Sequence, residues 1–220
     1  MKNLAIIVPY RDREENKKIF IPYLNEYLRN KNLRFDIFII EQGDTKPFNR
    51  GKLLNVGYSF SSKLEEYESF VMHDVDMLPV NVDYSTPTIP THLASRVEQF
   101  NWGIPYQLYF GGITSFPSKV FEKVNGYSNR YWGWGCEDDD MFYRIQYNGI
   151  DWSRREGGMV RSLNHTPQAD QEEHSKKNSD LMQEAWLKKL DHKQEGLNTL
   201  EYEPTSYAHD GDHYLVSVNL

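Results

Sequence analysis

The stretch Leu4-Ala5-Ile6-Ile7-Val8-Pro9-Tyr10-Arg11-Asp12-Arg13 decides the fold class. Its five apolar residues, Leu4 to Val8, are typical of a strand that is buried on both faces of a sheet. Proline cannot donate to a sheet ladder, so the strand is expected to end at Pro9. Residues 14 to 30 carry apolar side chains at helical spacing, and a second apolar run covers Phe35 to Ile40. This order predicts an α/β fold with a mainly parallel central sheet.

The same patterns predict the elements that follow. A second helix is expected at Gly51 to Ser61, and a further buried strand at Phe70 to Met72. Residues 81 to 103 show no clear period and are expected to form a long surface excursion. Later elements are an aromatic strand at Tyr106 to Ile113, a helix near Pro117 capped by Ser115, a helix that follows the acidic run and ends near Asn148, and a helix marked by Leu181, Ala185, Trp186 and Leu190.

Length, charge and cysteine content restrict the class of protein. The 220 residues are expected to form one domain, residues 1–220, that is large enough to bury a sizeable core. A net charge of −7 argues against nucleic acid or an anionic membrane as the main partner. The sequence has no apolar run of about 18 residues that would predict a membrane span. Its single cysteine, Cys136, excludes an intrachain disulfide, and we expect a cytoplasmic protein without an integral membrane segment.

Charged residues follow the ends of two predicted strands. Arg11 and Arg13 come after the first strand, whereas Asp74 and Asp76 come after the strand that begins at Phe70. Open α/β sheets bind ligands at the carboxyl ends of their strands, and guanidinium groups there suit a diphosphate. Two aspartates spaced by one residue suit Mg²⁺ or Mn²⁺ held between protein and phosphates. The alternatives are a solvated charged turn and an ordinary short acidic turn.

The stretch Tyr131-Trp132-Gly133-Trp134-Gly135-Cys136-Glu137-Asp138-Asp139-Asp140 combines aromatic surface with four consecutive acids. Acids are favoured in a first helical turn by its free N–H groups and by the macrodipole, which is one explanation of the acidic run. That explanation does not account for the tryptophans and glycines, since indole rings offer flat apolar surface and glycines permit close backbone approach. The stretch therefore indicates a carbohydrate site that ends in a candidate general base.

Taken together, these motifs resemble those of the β-1,4-galactosyltransferase family. The matching stretches occur in the family's order and span most of the chain. They are Pro9 to Arg13 (PYRDR), Phe48 to Gly57 (FNRGKLLNVG), His73 to Pro79 (HDVDMLP), Tyr109 to Gly112 (YFGG), Asn125 to Asp140 (NGYSNRYWGWGCEDDD) and Glu195 to Leu200 (EGLNTL). The His73 motif, with Asp83-Tyr84 after it, is most similar to the branch that galactosylates xylose on proteoglycan linkers.

The resemblance implies a single-domain nucleotide-sugar transferase fold of the GT-A type, a Mn²⁺ cofactor and inversion at the anomeric carbon. It also implies UDP-galactose as donor, a glycan or glycoconjugate as acceptor, and Asp138 as the catalytic base. The implied donor-binding residues are Pro9, Tyr10, Arg11, Arg13, Phe48, Arg50, Asp74, Val75, Tyr109 and Trp134. The implied acceptor-binding residues are Tyr106, Gly135, Cys136, Glu137, Asp138 and Asp139. By the same resemblance, Trp134 would lie on a mobile loop over the donor.

The metal ligands depart from the family pattern. The resemblance assigns Asp76 to the metal. Family members usually supply a histidine soon after the arginine that matches Arg161, but Ser162 stands at the next position. His165 is our candidate substitute, and Met159 is a candidate further ligand. A second histidine of the polar C-terminal segment, His174, becomes relevant only if a metal site forms elsewhere.

Three alternatives stay open at this point. They are transfer of N-acetylgalactosamine, extension of a glycosaminoglycan-like polymer, and a nucleotide-sugar or glycan-binding module without turnover. The Asp74/Asp76 pair and the acidic run favour an enzyme, because a binding module would not need Asp138. Two effects on the pKa of Asp138 oppose each other, since a first helical turn lowers it and aromatic burial raises it. Asp139 or Asp140 is expected to cap the start of the helix or to be solvated there.

Overall fold

The first strand, β1 (Lys2–Tyr10), lies inside the central sheet of the computed structural model, which describes residues 2–164, 171–188 and 192–220. It pairs in parallel with β2 (Phe35–Gln42) on one side and with β3 (Tyr67–His73) on the other. Helix α1 (Glu14–Arg29) connects β1 to β2. The predicted β-α-β opening is therefore confirmed.

Alternate side chains of β1 pack on opposite faces of the sheet. Ile7 belongs to the core that includes helix α2 (Arg50–Leu64), whereas Ile6 belongs to the core that includes α1. Successive side chains of a strand point to opposite faces, and helices cover both faces here. This double burial explains why the run from Leu4 to Val8 is continuously apolar and does not alternate with polar residues.

Pro9 does not end the first strand, contrary to the expectation. β1 continues to Tyr10, and Pro9 pairs with Ile40 of β2. The pairing of β1 with β3 stops at Ile7, so Pro9 lies where β1 has a neighbour on the β2 side alone. Proline is tolerated at such a one-sided position because the missing N–H is not required by a second neighbour.

The remaining elements complete two sheets. In chain order they are β4 (Met77–Asn81), β5 (Thr91–His92), β6 (Arg96–Val97), β7 (Ile113–Pro117), α3 (Ser118–Lys123), α4 (Glu137–Tyr147), β8 (Ser153–Arg154), β9 (Met159–Ser162), α5 (Gln171–Leu187), β10 (Glu203–His209) and β11 (Tyr214–Asn219). Within the described residues the large sheet has the order β10-β11-β2-β1-β3-β7-β5-β8, and the small sheet the order β4-β9-β6. The central strands β11, β2, β1 and β3 are mutually parallel, which confirms the predicted α/β fold.

Two predictions about the segment before α3 are wrong. Tyr106 to Gly112 is not a strand, because the pairing of β7 with β3 begins only at Ile113. Gly112 has φ 77°, a left-handed backbone conformation that regular strands do not contain. Ser115 does not cap α3, because it lies inside β7 opposite Val71 of β3. The aromatic residues of this segment therefore belong to an irregular loop.

The expected surface excursion of residues 81 to 103 is also wrong in part. The segment contains β5 and β6, and its residues Leu93 and Ala94 are completely buried. β5 pairs with β7 and β8, so this segment extends the large sheet. The absence of a clear period follows from the shortness of these strands, which are two residues long.

The C-terminal part contains one predicted and two unpredicted elements. Helix α5 confirms the helix marked by Leu181, Ala185 and Trp186, whereas Leu190 lies outside the described residues. β10 and β11 form an antiparallel hairpin that the sequence patterns did not indicate. Among the helices of the described ranges, none has both the length and the apolar character needed to cross a membrane.

Candidate active site

Arg50 joins three segments at the carboxyl end of the parallel strands. It opens α2, and its Nε lies 2.8 Å from Oδ1 of Asp74, which directly follows β3. Its Nη1 lies 3.3 Å from Oε1 of Glu137, the first residue of α4. Burial raises the pKa of Asp74 to about 6, while the charge of Arg50 opposes this shift. The structure thus brings together Arg50, Asp74 and Glu137, which the sequence predicted as site residues.

Asp138 lies beside this cluster and against the loop that precedes β7. A methyl group on Gly111 would overlap Oδ2 of Asp138, so the absence of a side chain at Gly111 makes room for the carboxyl group. Burial raises the pKa of Asp138 well above its usual range, and repulsion from Glu137 and Asp139 acts in the same direction. The charge of Arg50 opposes this shift in the pKa of Asp138 but does not cancel it. Asp138 is therefore a carboxyl group with increased basicity.

Two tyrosines of the same loop flank Asp138. The hydroxyl and Cε2 of Tyr109 lie beside Gly111, where Asp138 also lies. The hydroxyl of Tyr106 donates a 2.7 Å hydrogen bond to Oδ1 of Asp139. Burial raises the pKa of Asp139, while this hydrogen bond opposes the shift. The predicted donor residue Tyr109 and the predicted acceptor residues Tyr106 and Asp139 thus form one wall around Asp138.

The predicted donor residues near β1 differ in exposure. The guanidinium of Arg11 lies 5.4 Å above the Phe48 ring, and its Nη1 donates to the carbonyl of Lys46 at 2.6 Å. Arg13 is partly exposed just before α1. Tyr10 and Val75 are buried in the core on the α1 face, so their side chains serve packing there. The hydroxyl of Tyr10 donates to Glu14 at 3.0 Å.

The tryptophan loop, residues 132–135, is fixed by side chains that the sequence patterns did not indicate. Nδ2 of Asn178 on α5 lies 3.1 Å from the carbonyls of Trp132, Trp134 and Gly135. The side chain of His174 lies against Gly133, where an added methyl group would overlap its ring. The N–H of Gly133 donates to the carbonyl of Phe48 at 2.6 Å. Asn178 is 5% exposed although it lies on a polar helix, which is why hydropathy gave no signal for it.

Trp134 itself is exposed, and the chain then turns sharply into α4. The Trp134 side chain is 52% exposed, whereas Trp132 packs against the core. Cys136 has φ 74°, so the backbone is left-handed immediately before the helix. Burial and the neighbouring carboxylates raise the pKa of Cys136 to about 12, so its thiol stays protonated at neutral pH.

Asp140, one of the two acids expected to cap the helix start or to be solvated there, is buried in a hydrogen-bond network instead. It is 4% exposed, accepts a hydrogen bond from the Tyr131 hydroxyl at 3.1 Å, and lies 2.7 Å from Nε of Arg144. Arg144 also donates to the carbonyl of Gly126 at 3.1 Å and to Oε2 of Glu195 at 2.8 Å. This buried network anchors α4 and thereby the position of Asp138.

Of the predicted metal ligands, the structure describes Asp76 and Met159, and it does not bring these two residues together. Asp76 lies in the turn between β3 and β4, and its carbonyl accepts a 2.7 Å hydrogen bond from Leu163. Met159 instead pairs with Asn81, at the end of β4 that is farther from Asp76. At about 3.3 Å per residue, Asn81 lies roughly 13 Å along the strand from Met77, the residue that follows Asp76. This register argues against Met159 as a ligand of the same ion. His165 lies outside the described residues, among which no group of three potential metal-ligating side chains occurs.

Family models match most of the chain. The N-terminal region of glycosyl transferase group 7 matches residues 1–86, and the N-terminal domain of galactosyltransferase matches residues 91–168. β-1,4-Galactosyltransferase 2 of Cricetulus griseus is 35% identical over 206 residues, which cover 91% of this chain and 55% of that protein. β-1,4-Galactosyltransferase 1 of Bos taurus is 38% identical over 168 residues, which cover 74% of this chain and 42% of that protein. The chain thus spans about half the length of these relatives.

A solved structure matches over the whole chain. A mutant of Drosophila β-1,4-galactosyltransferase 7, in complex with manganese, UDP-Gal and xylobiose, superposes with a TM-score of 0.81 and 29% sequence identity. The match covers 100% of this chain and 94% of that chain. The similarity therefore includes the central sheet and the segments that carry Arg50, Tyr109 and Asp138.

Proposed function

Because the chain belongs to the β-1,4-galactosyltransferase family, we propose that it transfers galactose from UDP-galactose to a sugar hydroxyl of a glycan acceptor. Inversion at the anomeric carbon and a β-1,4 linkage are part of this proposal, as is one catalytic domain formed by residues 1–220. The position of Asp138 is its main support. This carboxyl group lies against Gly111, has a raised pKa and neighbours the cluster of Arg50, Asp74 and Glu137.

Asp138 acts as the general base. It takes the proton of the acceptor hydroxyl as the hydroxyl oxygen attacks the anomeric carbon and UDP leaves. A sugar hydroxyl is a poor nucleophile, and a base whose pKa lies closer to the working pH removes its proton more effectively. Arg50 offsets part of the negative charge of Asp74 and Glu137, which limits repulsion around the base.

The residues around Asp76 fit a Mn²⁺ ion. Carboxylate oxygen is a preferred ligand of such an ion, and the hydrogen bond from Leu163 to Asp76 brings the segment just before His165 to this turn. Asp76 and His165 would hold the ion, which would supply Lewis-acid stabilisation of the leaving diphosphate. Arg11 and Arg13, after β1, direct further positive charge to the same phosphates.

A xylose-ending glycan is the proposed acceptor. Trp134 offers an exposed flat surface for a sugar ring, and the hydrogen-bonded pair of Tyr106 and Asp139 offers polar groups for its hydroxyls. In the sequence, the segment between Trp134 and Asp139 contains three further proposed acceptor-binding residues, Gly135, Cys136 and Glu137. The xylobiose bound to the Drosophila relative supports this choice of acceptor.

A donor and acceptor screen tests the proposal. UDP release is measured with UDP-galactose, UDP-N-acetylgalactosamine and UDP-glucose against aryl xyloside, glucosaminide and glucoside acceptors. We expect the fastest release with UDP-galactose and the xyloside, its loss after chelation, and its recovery with Mn²⁺. Donor binding without transfer to any acceptor would contradict the enzyme and favour the binding module.

The principal alternative is transfer of N-acetylgalactosamine, and Tyr109 distinguishes it. The ring of Tyr109 stands beside Gly111 and Asp138, where it restricts the room for a larger sugar. We expect Tyr109→Leu to raise the use of UDP-N-acetylgalactosamine by removing a clash. Equal use of both donors by the unmodified protein would contradict the preference for galactose.

The cytoplasmic location stays a proposal. The sequence contains a single cysteine, so these 220 residues form no disulfide among themselves, as suits a reducing compartment. Fractionation of the source cell, with detection of this chain in the soluble cytoplasmic or in the lumenal fraction, decides the location.

A further inference from the structure

The loop that precedes β7, residues 106–112, has no regular secondary structure, yet it forms the wall around Asp138. A loop that is not part of a sheet ladder must have its backbone groups paired by other means. The N–H of Asp74 pairs with the carbonyl of Gly112 at 3.1 Å. The carbonyls of Gln107, Tyr109 and Gly111 pair with two side chains from distant parts of the chain, His92 and Arg154.

Arg154 supplies two of these contacts. Its Nη1 donates to the carbonyl of Gln107 at 3.0 Å, and its Nη2 donates to the carbonyl of Tyr109 at 2.6 Å. The guanidinium also lies 5.5 Å from the centre of the Trp152 ring. A planar guanidinium directs several N–H groups at fixed angles, so it holds two carbonyls of one loop in a defined relative position.

His92 supplies the third contact. Nε of Arg154 donates to Nδ1 of His92 at 2.8 Å, and Nε2 of His92 lies 3.0 Å from the carbonyl of Gly111. Arginine can only donate, so Nδ1 must accept and the proton of the neutral ring must be on Nε2. The His92 ring is completely buried and contacts Tyr109 edge-to-face, with 5.5 Å between the ring centroids. Burial lowers the pKa of His92 to about 3, which keeps the ring neutral at physiological pH.

We propose that His92 and Arg154 are positioning residues that set the size of the donor-sugar pocket, by holding Tyr109 and Gly111 in place against Asp138. The inference rests on the proposed transfer of galactose. His92 lies on β5 and Arg154 on β8, which pair with each other at one edge of the large sheet, and we call these two side chains together the clamp. A shift of the Tyr109 ring would make room for an N-acetyl group in the donor-sugar pocket. A shift of Gly111 would change the space available to the carboxyl group of Asp138.

The test compares Arg154→Lys with a matched control, Arg155→Lys. Arg155 clamps a different loop in a similar way, since it donates to the carbonyls of Asp83 and Ser85, both at 2.7 Å. Lysine keeps the charge in both variants but cannot reach several carbonyls at fixed angles. His92→Gln is a second variant, because its amide can still donate to Gly111 but does not reproduce the ring that packs on Tyr109.

Three quantities are measured on the full chain for each variant. They are kcat/KM for UDP-galactose and for UDP-N-acetylgalactosamine, the ratio of the Kd values for the two donors, and amide hydrogen exchange in residues 106–112. We expect Arg154→Lys to lower kcat/KM for UDP-galactose by about 10- to 100-fold, the scale of a displacement near 1 Å. We also expect it to reduce the preference for UDP-galactose, both in the ratio of the two kcat/KM values and in the ratio of the two Kd values. Amide hydrogen exchange in residues 106–112 should become faster.

The outcomes separate the clamp from the proposed function. Arg155→Lys should change neither donor ratio, whereas Arg154→Lys and His92→Gln should reduce both. If Arg154→Lys and His92→Gln leave both donor ratios at the wild-type value, the clamp is refuted, even if activity falls. If the wild type binds UDP-galactose without transferring it, the proposed function fails, and the Kd ratios alone then decide on the clamp. If Arg154→Lys does not fold, His92→Gln decides.

Discussion

At the scale of single residues, Asp138 combines increased basicity with a fixed place in the site. Its carboxyl group lies in the space that Gly111 leaves, and burial together with two neighbouring acids raises its pKa. Neither property follows from the acidic run itself, which contains four candidate bases. The side-chain partners distinguish them, since Glu137 pairs with Arg50, Asp139 with Tyr106 and Asp140 with Arg144. Asp138 instead accepts a hydrogen bond from the backbone N–H of Asp139 at 3.0 Å.

Asp138→Asn is expected to lower kcat by about 100-fold or more, because the amide keeps the shape of the side chain but cannot take a proton. UDP-galactose should still bind with near-wild-type affinity, since an interaction needed mainly in the transition state is lost. Steady-state kinetics and equilibrium binding check the two expectations. Turnover at the wild-type rate would place the base elsewhere, and Glu137→Gln is then the first variant to examine.

At the scale of elements, helix α5 orders the tryptophan loop. Asn178 is buried and donates to three backbone carbonyls of that loop. Among the described residues, no other side chain of α5 contacts as many backbone groups of the loop. In the proposed reaction, an ordered loop over the donor would exclude water, which competes with the acceptor for the galactosyl group. We therefore expect α5 to favour transfer over hydrolysis.

Asn178→Ala is expected to raise the ratio of UDP-galactose hydrolysis to transfer by roughly 5-fold, the effect of about 1 kcal/mol of lost hydrogen bonding. Gln183→Ala on the exposed side of the same helix is the control, and it should leave the ratio unchanged. Product analysis of free galactose and of galactosylated xyloside measures both. An unchanged ratio in Asn178→Ala would mean that Asn178 does not order the loop for catalysis.

Elements with both faces buried could be predicted from the sequence, whereas elements defined by distant partners could not. β1 and β2 have continuous apolar runs because helices cover both faces of the sheet. β10 is exposed along its whole length, so it has no pattern of burial that a sequence would reveal. Residues 106–112 have the aromatic content of a strand, but His92 and Arg154 hold their carbonyls in a loop. The site residues were predicted through short motifs, and Asn178, His92 and Arg154 were missed because their partners are far away in sequence.

At the scale of the whole molecule, two partly buried carboxyl groups make stability depend on pH. Burial raises the pKa of Asp74 to about 6 and raises the pKa of Asp138 well above its usual range. Each group binds a proton more tightly when the chain is folded than when it is unfolded, so the free energy of unfolding falls as pH rises through the folded pKa. Hydrogen bonds lower the pKa of Asp210, which acts in the opposite direction at acidic pH.

We therefore expect Tm to be highest near about pH 4, close to the pKa of an aspartate in the unfolded chain, and to fall towards pH 8. Asp138→Asn should have nearly the wild-type Tm at pH 4 and a higher Tm than wild type at pH 8, because the amide avoids burying a charge. Thermal unfolding of both proteins in metal-free buffers from pH 4 to pH 9 measures the difference. A difference that does not grow with pH would show that the carboxyl group of Asp138 is not destabilised in the folded chain.

The pairing of β11 with β2 has a consequence for the synthesis of the chain. The hydrogen bond between Ser217 and Glu41 joins residues that are 176 positions apart. A contact of such sequence separation forms late and slows folding, because a long loop must close first. On the ribosome, β2 emerges early and keeps an unpaired edge until β11 follows. The nascent chain is most prone to aggregate in that interval, when an apolar strand at the centre of the future sheet still lacks its outer neighbour.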